Sequence, residues 1–253
     1  MAHFTLLIIG DEILSGRRVD QHFAAILQRL QSRGHTLSSV HYLPDDPATL
    51  IAHFKRTLAE QRHVISCGGI GATPDDHTRA ALASALNVPL LPQPQAAALI
   101  EQRFGADAYP HRIKMAQFPQ GASIIPNPVN QVAGAAIAQH YLLPGFPTMA
   151  WPMVEWLLDQ YYTAGTVATR RSLTVLNAKE GDLIDLMQAV VDQWPLLTFS
   201  SLPSFGNQHC QQAHIEFSVQ GDAHDSQAAI DFLQQQLNQL GYLFLEAADM
   251  PSD

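Results

Sequence analysis

Apolar residues alternate between two patterns along the first hundred positions of the chain. Short continuous apolar runs have the length of strands, and between them apolar residues recur every three or four positions, as on one face of a helix. The runs predict strands at 4–10, 36–44, 63–69 and 88–91. The intervening stretches predict helices through 23–33, 47–61, 74–86 and 93–104. This alternation is typical of βαβ units, in which helices cover both faces of a mostly parallel sheet.

The pattern changes from about Ala122 onward. Short strands are predicted in SIIPNP, AGAAIAQ and HYLLPG, followed by a helix over 147–162. The small, polar and basic segment 163–171 is a predicted linker. After it the predicted elements are a strand at 172–177, a helix at 181–193, strands at 196–202 and 213–219, and a helix at 226–240. We therefore expect two domains, an α/β domain at 1–165 and a small α+β domain of βαββα order at 172–250.

Composition narrows the class of protein. The 253 residues are 47% hydrophobic and 15% charged, which is enough to bury a core. The net charge of −9 argues against a nucleic-acid backbone as the main partner. The two cysteines are far apart in sequence, as expected in a reducing cytosol, and the apolar run within 1–10 is too short to span a membrane. We expect a cytoplasmic protein without membrane or nucleic-acid partners.

Two Pro-Asp-Asp triplets precede predicted helices. In LPDDPATL, Asp45 or Asp46 can cap a helix that begins at Pro47, and the structural interpretation is favoured there. In GGIGATPDDHT, Thr73 is a suitable N-cap, followed by a proline at the first helical position and Asp76 in a pattern like a capping box. Taken alone, the aspartates predict helix caps.

The glycines before the second triplet favour a ligand as well. Gly68, Gly69 and Gly71 follow a buried strand and precede a helix, a context in which backbone N–H groups bind phosphate. A second acidic loop, GDEILSG, leaves the first strand at the same edge of the predicted sheet. Its Asp11 and Glu12 can converge with the aspartates of 75–76, and carboxylates beside a phosphate are consistent with a bridging divalent cation. A metal–phosphate site and purely structural caps remain open as alternatives.

Four segments in order carry a resemblance to a known family: GDEILSG, the first Pro-Asp-Asp, CGGIGATPDDHTRAALASAL and YLLPGFP. Over residues 4–162 the chain resembles the molybdopterin-binding (MoaB/Mog-like) domain, in the version found at the N-terminus of the competence/damage-inducible CinA family. The segment containing SSLPSFG resembles the small KH-like domain that follows in that family, and no amidase domain comes after it.

The resemblance implies a three-layer α/β/α fold. It further implies a divalent-metal pyrophosphatase that acts on compounds such as ADP-ribose or FAD, with Mg²⁺, Mn²⁺ or Co²⁺ as cofactor. The MoaB/Mog branch implies instead binding or adenylylation of molybdopterin. Relatives of this fold commonly self-associate, so a homo-oligomer, a dimer or a trimer, is expected.

Residues that match the family motifs are the candidate site. The candidate catalytic residues are Asp11, Asp75 and Asp76, and the candidate metal ligands are the same three with Glu12. The candidate substrate- or phosphate-binding residues are Ser15, Gly16, Gly68, Gly69, Gly71, Thr73, Thr78, Lys114 and Gly145.

The chain departs from the family pattern at several positions in these loops. His22 stands where the family has an asparagine-type residue, and Ala72 stands where it has a proline. The family's GTAPG loop reads NQVAG at 130–134, and Met149 aligns with a glutamate. A thioether neither binds Mg²⁺ nor moves a proton at neutral pH. A binding protein without turnover is therefore the alternative to an enzyme.

Other polar residues are weaker candidates. His209, Cys210 and His214 lack a recognised zinc spacing. His77 is interpreted as a solvated residue at a helix start, and Cys67 as a small core residue without a base beside it. The KH-like region has no GxxG loop between 172 and 250, which argues against RNA binding.

Overall fold

A computed structural model describes residues 1–206 and 210–246, and these divide into two compact units between Val167 and Ala168. The division between the units falls inside the segment interpreted as a linker. Among the described residues, no helix combines the length and apolar character needed to cross a membrane.

The first unit is built on one six-stranded sheet. Its strands in spatial order are β2 (Thr36–Leu43), β1 (His3–Ile9), β3 (His63–Cys67), β8 (His140–Leu143), β7 (Gly134–Ile137) and β6 (Ser123–Ile125). The first four strands are parallel, and β7 is antiparallel to both of its neighbours, so that β6 runs in the same direction as the first four. The predicted mostly parallel sheet is thereby confirmed.

Helices cover both faces of this sheet. They are α1 (Asp11–Leu14), α2 (His22–Gln31), α3 (Pro47–Ala59), α4 (Thr78–Leu86), α5 (Pro94–Phe104) and α6 (Pro147–Tyr161), with 3-10 turns at Gly105–Ala108 and Arg112–Ala116. A separate two-stranded sheet pairs β4 (Leu90–Pro92) with β5 (Gln117–Pro119), so the strand expected at 88–91 lies outside the main sheet.

Side chains of β1 alternate between two apolar cores. Leu7 and Ile9 pack with α3, α4 and α5, whereas Leu6 and Ile8 pack with α2 and α6. Full burial of one such aliphatic side chain contributes about 1.5–3 kcal/mol. The result is the predicted three-layer α/β/α arrangement, whose strand ends are held in place from both sides.

Helix α4 begins four residues later than its sequence predicts. The pattern at Thr73 and Asp76 predicts a helix from Pro74, but the first helical residue is Thr78 and its N-cap is His77. The Asp76 carboxylate does accept from the Thr73 N–H, as a capping box predicts, but it also accepts from the Gly71 N–H, and the chain forms a turn there before the helix begins. Strand β3 likewise ends at Cys67 rather than at residue 69, since the two following glycines have positive φ.

The second unit is an α+β fold with four antiparallel strands. Its elements are β9 (Thr169–Leu176), a 3-10 turn at Glu180–Leu183, α7 (Ile184–Gln193), β10 (Thr198–Ser204), β11 (His214–Gly221), α8 (Ala223–Leu240) and β12 (Phe244–Glu246). The sheet order is β10-β11-β9-β12. Strand β12 was missed in the predicted βαββα unit because it has three residues. Strand β9 begins inside the predicted linker because Thr169–Arg171 pair with β11.

Candidate functional site

A cleft of about 490 Å³ lies beyond the carboxyl ends of the parallel strands. The loops that follow β1, β3 and β8 all contribute to its wall, through Gly10, Gly68 and Gly145. This is the edge at which ligands bind in open α/β sheets. Its volume lies within the range of small-molecule sites.

The loop from Gly68 to Asp76 forms one side of this cleft, and its first two glycines are required by geometry. A Cβ atom on Gly68, whose φ is +114°, would lie 2.1 Å from the carbonyl oxygen of Ile9. A Cβ atom on Gly69, whose φ is +64°, would lie 2.2 Å from the Thr78 hydroxyl. The Thr78 hydroxyl itself donates to the Gly68 carbonyl at 2.9 Å. Thr78 is buried and supports the loop from beneath.

Asp76 fixes the middle of the same loop. Its Oδ1 accepts from the Gly71 N–H at 2.8 Å, and its Oδ2 accepts from the Thr73 N–H at 2.8 Å and from the Thr73 hydroxyl. Both carboxylate oxygens are thus used within the loop. Asp76 lines the cleft, but its contacts are those of a residue that shapes the loop.

Arg79 reinforces the loop from α4 and was missed by sequence reasoning. Its guanidinium donates from Nη2 to the Gly71 carbonyl oxygen, and the residue is only 6% exposed. Burial lowers the pKa of Arg79 to about 10, and the nearby Asp76 carboxylate opposes that effect. Arg79 therefore stays cationic at neutral pH, next to a loop rich in N–H groups.

Three backbone N–H groups of the loop have no acceptor among the described residues. They belong to Gly69, Ile70 and Ala72, and all three residues line the cleft. Those of Gly69 and Ile70 are successive, and successive free N–H groups in a glycine-rich turn can form a concave site for anions. The predicted phosphate-binding role of this loop has donors available to perform it.

Carboxylates from three loops face the same cleft. Glu12, Asp45 and Asp75 line it, while Asp11 is bonded to Asp45 in a reciprocal pair. The Asp11 N–H donates to Asp45 Oδ2 at 3.0 Å, and the Asp45 N–H donates to Asp11 Oδ1 at 3.4 Å. Burial, and then the charges of Asp11, Glu12 and Asp75, raise the pKa of Asp45, although its bond from Asp11 opposes them. The carboxylates therefore repel one another, and a cation between them would relieve that repulsion.

Asp45 is a site residue that the sequence pattern concealed. The first Pro-Asp-Asp triplet predicts a helix cap, and Asp46 is that cap, since its carboxylate accepts from the Thr49 N–H at 2.7 Å. The neighbouring Asp45 instead points its charge toward the acidic loop after β1. The βαβ pattern of the sequence could have identified Asp45: β1 and β2 are parallel neighbours, so the loops that follow them lie at the same edge of the sheet.

The spacing of these carboxylates limits how they can hold a metal. Among the described residues, the one set of three ligand atoms within 4.8 Å of one another is Asp222, His224 and Asp225, in the second unit. There Asp222 caps α8 through the N–H groups of His224 and Asp225. The cleft carboxylates are more widely spaced. This suits an ion such as Mg²⁺, which uses one or two carboxylates together with water and substrate oxygens.

Other predicted site residues lie in different places. Gly145 lines the cleft and approaches Gly68, whereas Lys114 is exposed and is not part of the wall. Ser15 and Gly16 are also exposed and outside the wall, and the Ser15 hydroxyl donates to the Asp11 carbonyl at 2.7 Å. Arg18, which sequence reasoning passed over, lines the cleft instead.

One part of the cleft wall is apolar and neutral. It includes Phe104, Met115, Val132 and Met149. The Asn130 amide donates to the Met149 sulfur at 3.3 Å, so two of the departures from the family pattern contact each other. This side of the cleft offers surface for a flat ring, and sulfur–aromatic contacts favour such a ligand.

Neither cysteine nor His214 is part of the cleft wall. Burial raises the pKa of the Cys67 thiol far above its usual range, which makes it unreactive at neutral pH. Of the loosely spaced group considered for zinc, His209 lies outside the described residues, and His214 Nδ1 is bonded to the Gln212 carbonyl at 2.9 Å.

Comparisons with known proteins agree with this architecture. A family model described as "Probable molybdopterin binding domain" matches residues 5–163. A "CinA-like protein" of Anaeromyxobacter sp. (strain Fw109-5) is 32% identical over 237 residues, which are 90% of this chain and 57% of that protein. A "CinA-like protein" of Citrifermentans bemidjiense is 28% identical over 98% of this chain and 61% of its own length. The chain therefore spans about three fifths of these curated relatives.

A solved structure shares the fold of the first unit. The crystal structure of CinA from Thermoplasma acidophilum, a protein described there as having unknown function, has a TM-score of 0.58 and 27% sequence identity. The match covers 63% of this chain and 99% of that one. With a family model matched over more than half of its length, this chain belongs to the molybdopterin-binding domain family and is similar to CinA-like proteins.

Proposed function

We propose that this protein is a divalent-metal-dependent pyrophosphatase that cleaves the diphosphate of a nucleotide compound such as ADP-ribose or FAD. The proposal rests on one observation: two different kinds of ligand-binding group occur together in one cleft. A loop with three free N–H groups, at Gly69, Ile70 and Ala72, faces the carboxylates of Glu12, Asp45 and Asp75. Neither feature alone requires a diphosphate, but anion donors and cation ligands side by side suit a metal–diphosphate complex.

The residues present fit a divalent cation. One or two of Glu12, Asp45 and Asp75 would hold it together with water and substrate oxygens, and Mg²⁺, Mn²⁺ and Co²⁺ are the candidates. When bound, such an ion neutralises phosphate charge and lowers the pKa of a coordinated water. The presence of these three carboxylates in one cleft wall and the raised pKa of Asp45 support this assignment.

The chain's own groups would orient the diphosphate. The free N–H groups would donate to diphosphate oxygens, while Asp76 and Arg79 hold the loop in that conformation. The Arg18 side chain lies in the same wall and adds a cation beside the leaving phosphate. Fixed donors of this kind stabilise developing negative charge without reorganising during the reaction.

The test is AMP release from ADP-ribose and FAD with and without Mg²⁺, Mn²⁺ or Co²⁺. We expect Asp75→Asn to lower kcat at least tenfold without lowering the melting temperature, because Asp75 is exposed and its loop is held by other residues. Asp46→Asn is the matched control, since Asp46 caps a helix outside the wall. Asp76→Ala is a poor probe of chemistry because it removes loop contacts. Full activity of Asp75→Asn, or no AMP with any of these ions, would contradict the proposal.

A second candidate is ligand binding without turnover, of molybdopterin or a nucleotide. The contact between Asn130 and Met149 favours it, because a neutral pair lies where the family has a glutamate. Calorimetry with a nucleotide and pterin panel, accompanied by product analysis, separates the two candidates. Binding of a pterin or dinucleotide without any product would support the second.

A further inference from the structure

The second unit has one long strand edge without a neighbour. Strand β10 is the outermost strand of its sheet, and beyond its pairing with β11 no hydrogen bond between described residues reaches the backbone of 199–203. The other outer strands of the two larger sheets are less open: β6 and β12 have three residues each, and β2 has a register shift beside β1. Pro203 removes one N–H, but the other outward backbone groups of β10 are free to pair with a further strand.

This edge is uncharged and carries exposed apolar side chains. No charged residue occurs within 194–206, although the chain has a net charge of −9. Leu196 is 90% exposed, Leu202 is 54% exposed and Phe205 is fully exposed. One such residue on a surface is ordinary, whereas several along a single open strand edge mark a surface that another chain covers. We call residues 196–205 the β10 edge.

The charges next to the β10 edge are compensated. The carboxylate Oε1 of Glu180 accepts from the Ser201 hydroxyl at 2.6 Å, and Lys179 is its neighbour in sequence. On the adjoining strand, Glu216 has the guanidinium of Arg170 at 3.6 Å. Each carboxylate therefore has a cation close to it in sequence or in space. Two copies of an acidic chain can meet along this edge without the repulsion that their net charge causes elsewhere.

The positions of the apolar residues favour an antiparallel copy of the same strand. Leu197 and Phe205 lie four positions before and after Ser201. A twofold axis through Ser201 therefore places Phe205 of one copy opposite Leu197 of the other, beside Leu196. Each copy then meets the other through the same surface, as in most closed dimers. A strand with an apolar residue at one end only would lack this match.

The exposed side chains supply much of the area that a stable pair needs. A phenylalanine buries about 150–250 Å² when it is covered, so the two Phe205 rings account for about 300–500 Å² of a standard interface of about 1,200–2,000 Å². The exposed leucines of both copies and the two strand backbones add to that area. Phe205 is the largest side chain in the set, so its replacement should have the largest effect on association.

We propose that this protein forms a dimer in which the β10 edges of two copies pair antiparallel, which joins their four-stranded sheets into one continuous sheet. Main-chain hydrogen bonds connect the two strands, and Phe205 packs against Leu196 and Leu197 of the other copy at both ends. This inference goes beyond the proposed hydrolysis and does not depend on it. It gives the expected homo-oligomer a specific surface.

The first test is the oligomeric state of the full chain, measured by sedimentation equilibrium over a range of micromolar concentrations. We expect a dimer for the wild type and a dimer Kd at least tenfold higher for Phe205→Lys. Leu243→Lys is the matched control, because Leu243 is a 73% exposed residue of the same unit that lies outside the β10 edge. Its dimer Kd should stay within twofold of the wild-type value. A monomeric wild type, or an unchanged Kd for Phe205→Lys, would overturn the proposal.

The second test asks whether the pairing is antiparallel. Leu196→Glu alone should weaken the dimer, because it places a charge against Phe205 of the other copy. The double variant Phe205→Lys/Leu196→Glu places opposite charges side by side, so at low ionic strength its dimer Kd should fall at least tenfold below that of Phe205→Lys. Both positions are exposed, and an unchanged thermal melt by circular dichroism checks that the variants fold. No recovery in the folded double variant would refute the antiparallel arrangement.

Discussion

Replacing Asp45 by asparagine should make the metal-free protein more stable and the metal-bound protein less stable. Asp45 is partly buried among Asp11, Glu12 and Asp75, and its raised pKa shows that the fold disfavours its charge even with the bond from the Asp11 N–H. Asparagine keeps an oxygen acceptor for that N–H and removes the charge. The opposite signs with and without metal distinguish a cation site from a purely structural cluster.

The magnitudes follow from the neighbours of Asp45. Like-charge pairs at partly exposed positions cost about 0.3 kcal/mol each, so the three neighbours together cost about 1 kcal/mol. Weakening of the bond from the Asp11 N–H offsets roughly half of that gain. The expected increase in melting temperature in EDTA is therefore about 1–2 °C. With Mg²⁺ at about a hundred times its Kd, the wild-type protein gains about 2.7 kcal/mol, and a variant whose affinity is tenfold lower gains about 1.3 kcal/mol less.

The assay is thermal unfolding in EDTA and in a Mg²⁺ or Mn²⁺ titration, followed by calorimetry. Asp46→Asn is the control within the same triplet: asparagine caps helices as well as aspartate does, so both curves should match the wild type. A lower melting temperature of Asp45→Asn in EDTA would refute the electrostatic reasoning. Equal metal-dependent stabilisation of variant and wild type would refute the assignment of Asp45 as a ligand.

Three further predictions concern the loop, a buried histidine and the neutral wall. Gly68→Ala should lower the free energy of unfolding by about 2–4 kcal/mol in urea titrations, because its Cβ would lie 2.1 Å from a carbonyl oxygen of β1. The control is Gly16→Ala, which should cost about 1 kcal/mol, because Gly16 has a φ of +71° but open space around it. Burial lowers the pKa of His140 below the ordinary histidine value of 6.5, so its contribution to the free energy of unfolding is complete above pH 6.5 and is lost as the pH falls, by up to about 1.4 kcal/mol per pH unit. His140→Gln should therefore flatten the loss of stability in acid, and an unchanged slope of the free energy of unfolding between pH 6.5 and 5 would contradict this prediction. The double variant Met149→Glu/Asn130→Gly should release AMP with a higher kcat than Met149→Glu alone, because the Asn130 amide would otherwise bind the introduced carboxylate. Equal values of kcat would show that the two positions act independently.

The sequence predicts the first unit well because its strands and helices have distinct periods. The apolar runs ending at Ile9 and Cys67 and the glycines after them place the acidic and glycine loops at one sheet edge, as found. The pattern could not show which aspartate lines the cleft and which caps a helix. Asp45 and Asp46 are adjacent and chemically identical, and only the direction of the chain after β2 separates a cleft carboxylate from a helix cap.

The same ambiguity produced the error at α4. Thr73 and Asp76 have the spacing of a capping box, but the Asp76 carboxylate also accepts a hydrogen bond from the N–H of Gly71, five residues earlier. That second bond requires a turn that the rules for helix caps do not describe. Arg79 escaped notice because an arginine near a helix start is usually solvated, and only the fold shows that it is buried. The short strand β12 escaped because three residues carry no measurable period.

The hydrogen bonds of Asp76 within its own loop have a consequence for the rate of ligand binding. Because Asp76 and Arg79 close the glycine loop by themselves, its conformational entropy is lost when the protein folds and not when a ligand arrives. Association should then need no slow ordering step, and its rate should follow the diffusional encounter of a charged ligand and so depend on ionic strength. In the proposed function the loop is a preformed receptor.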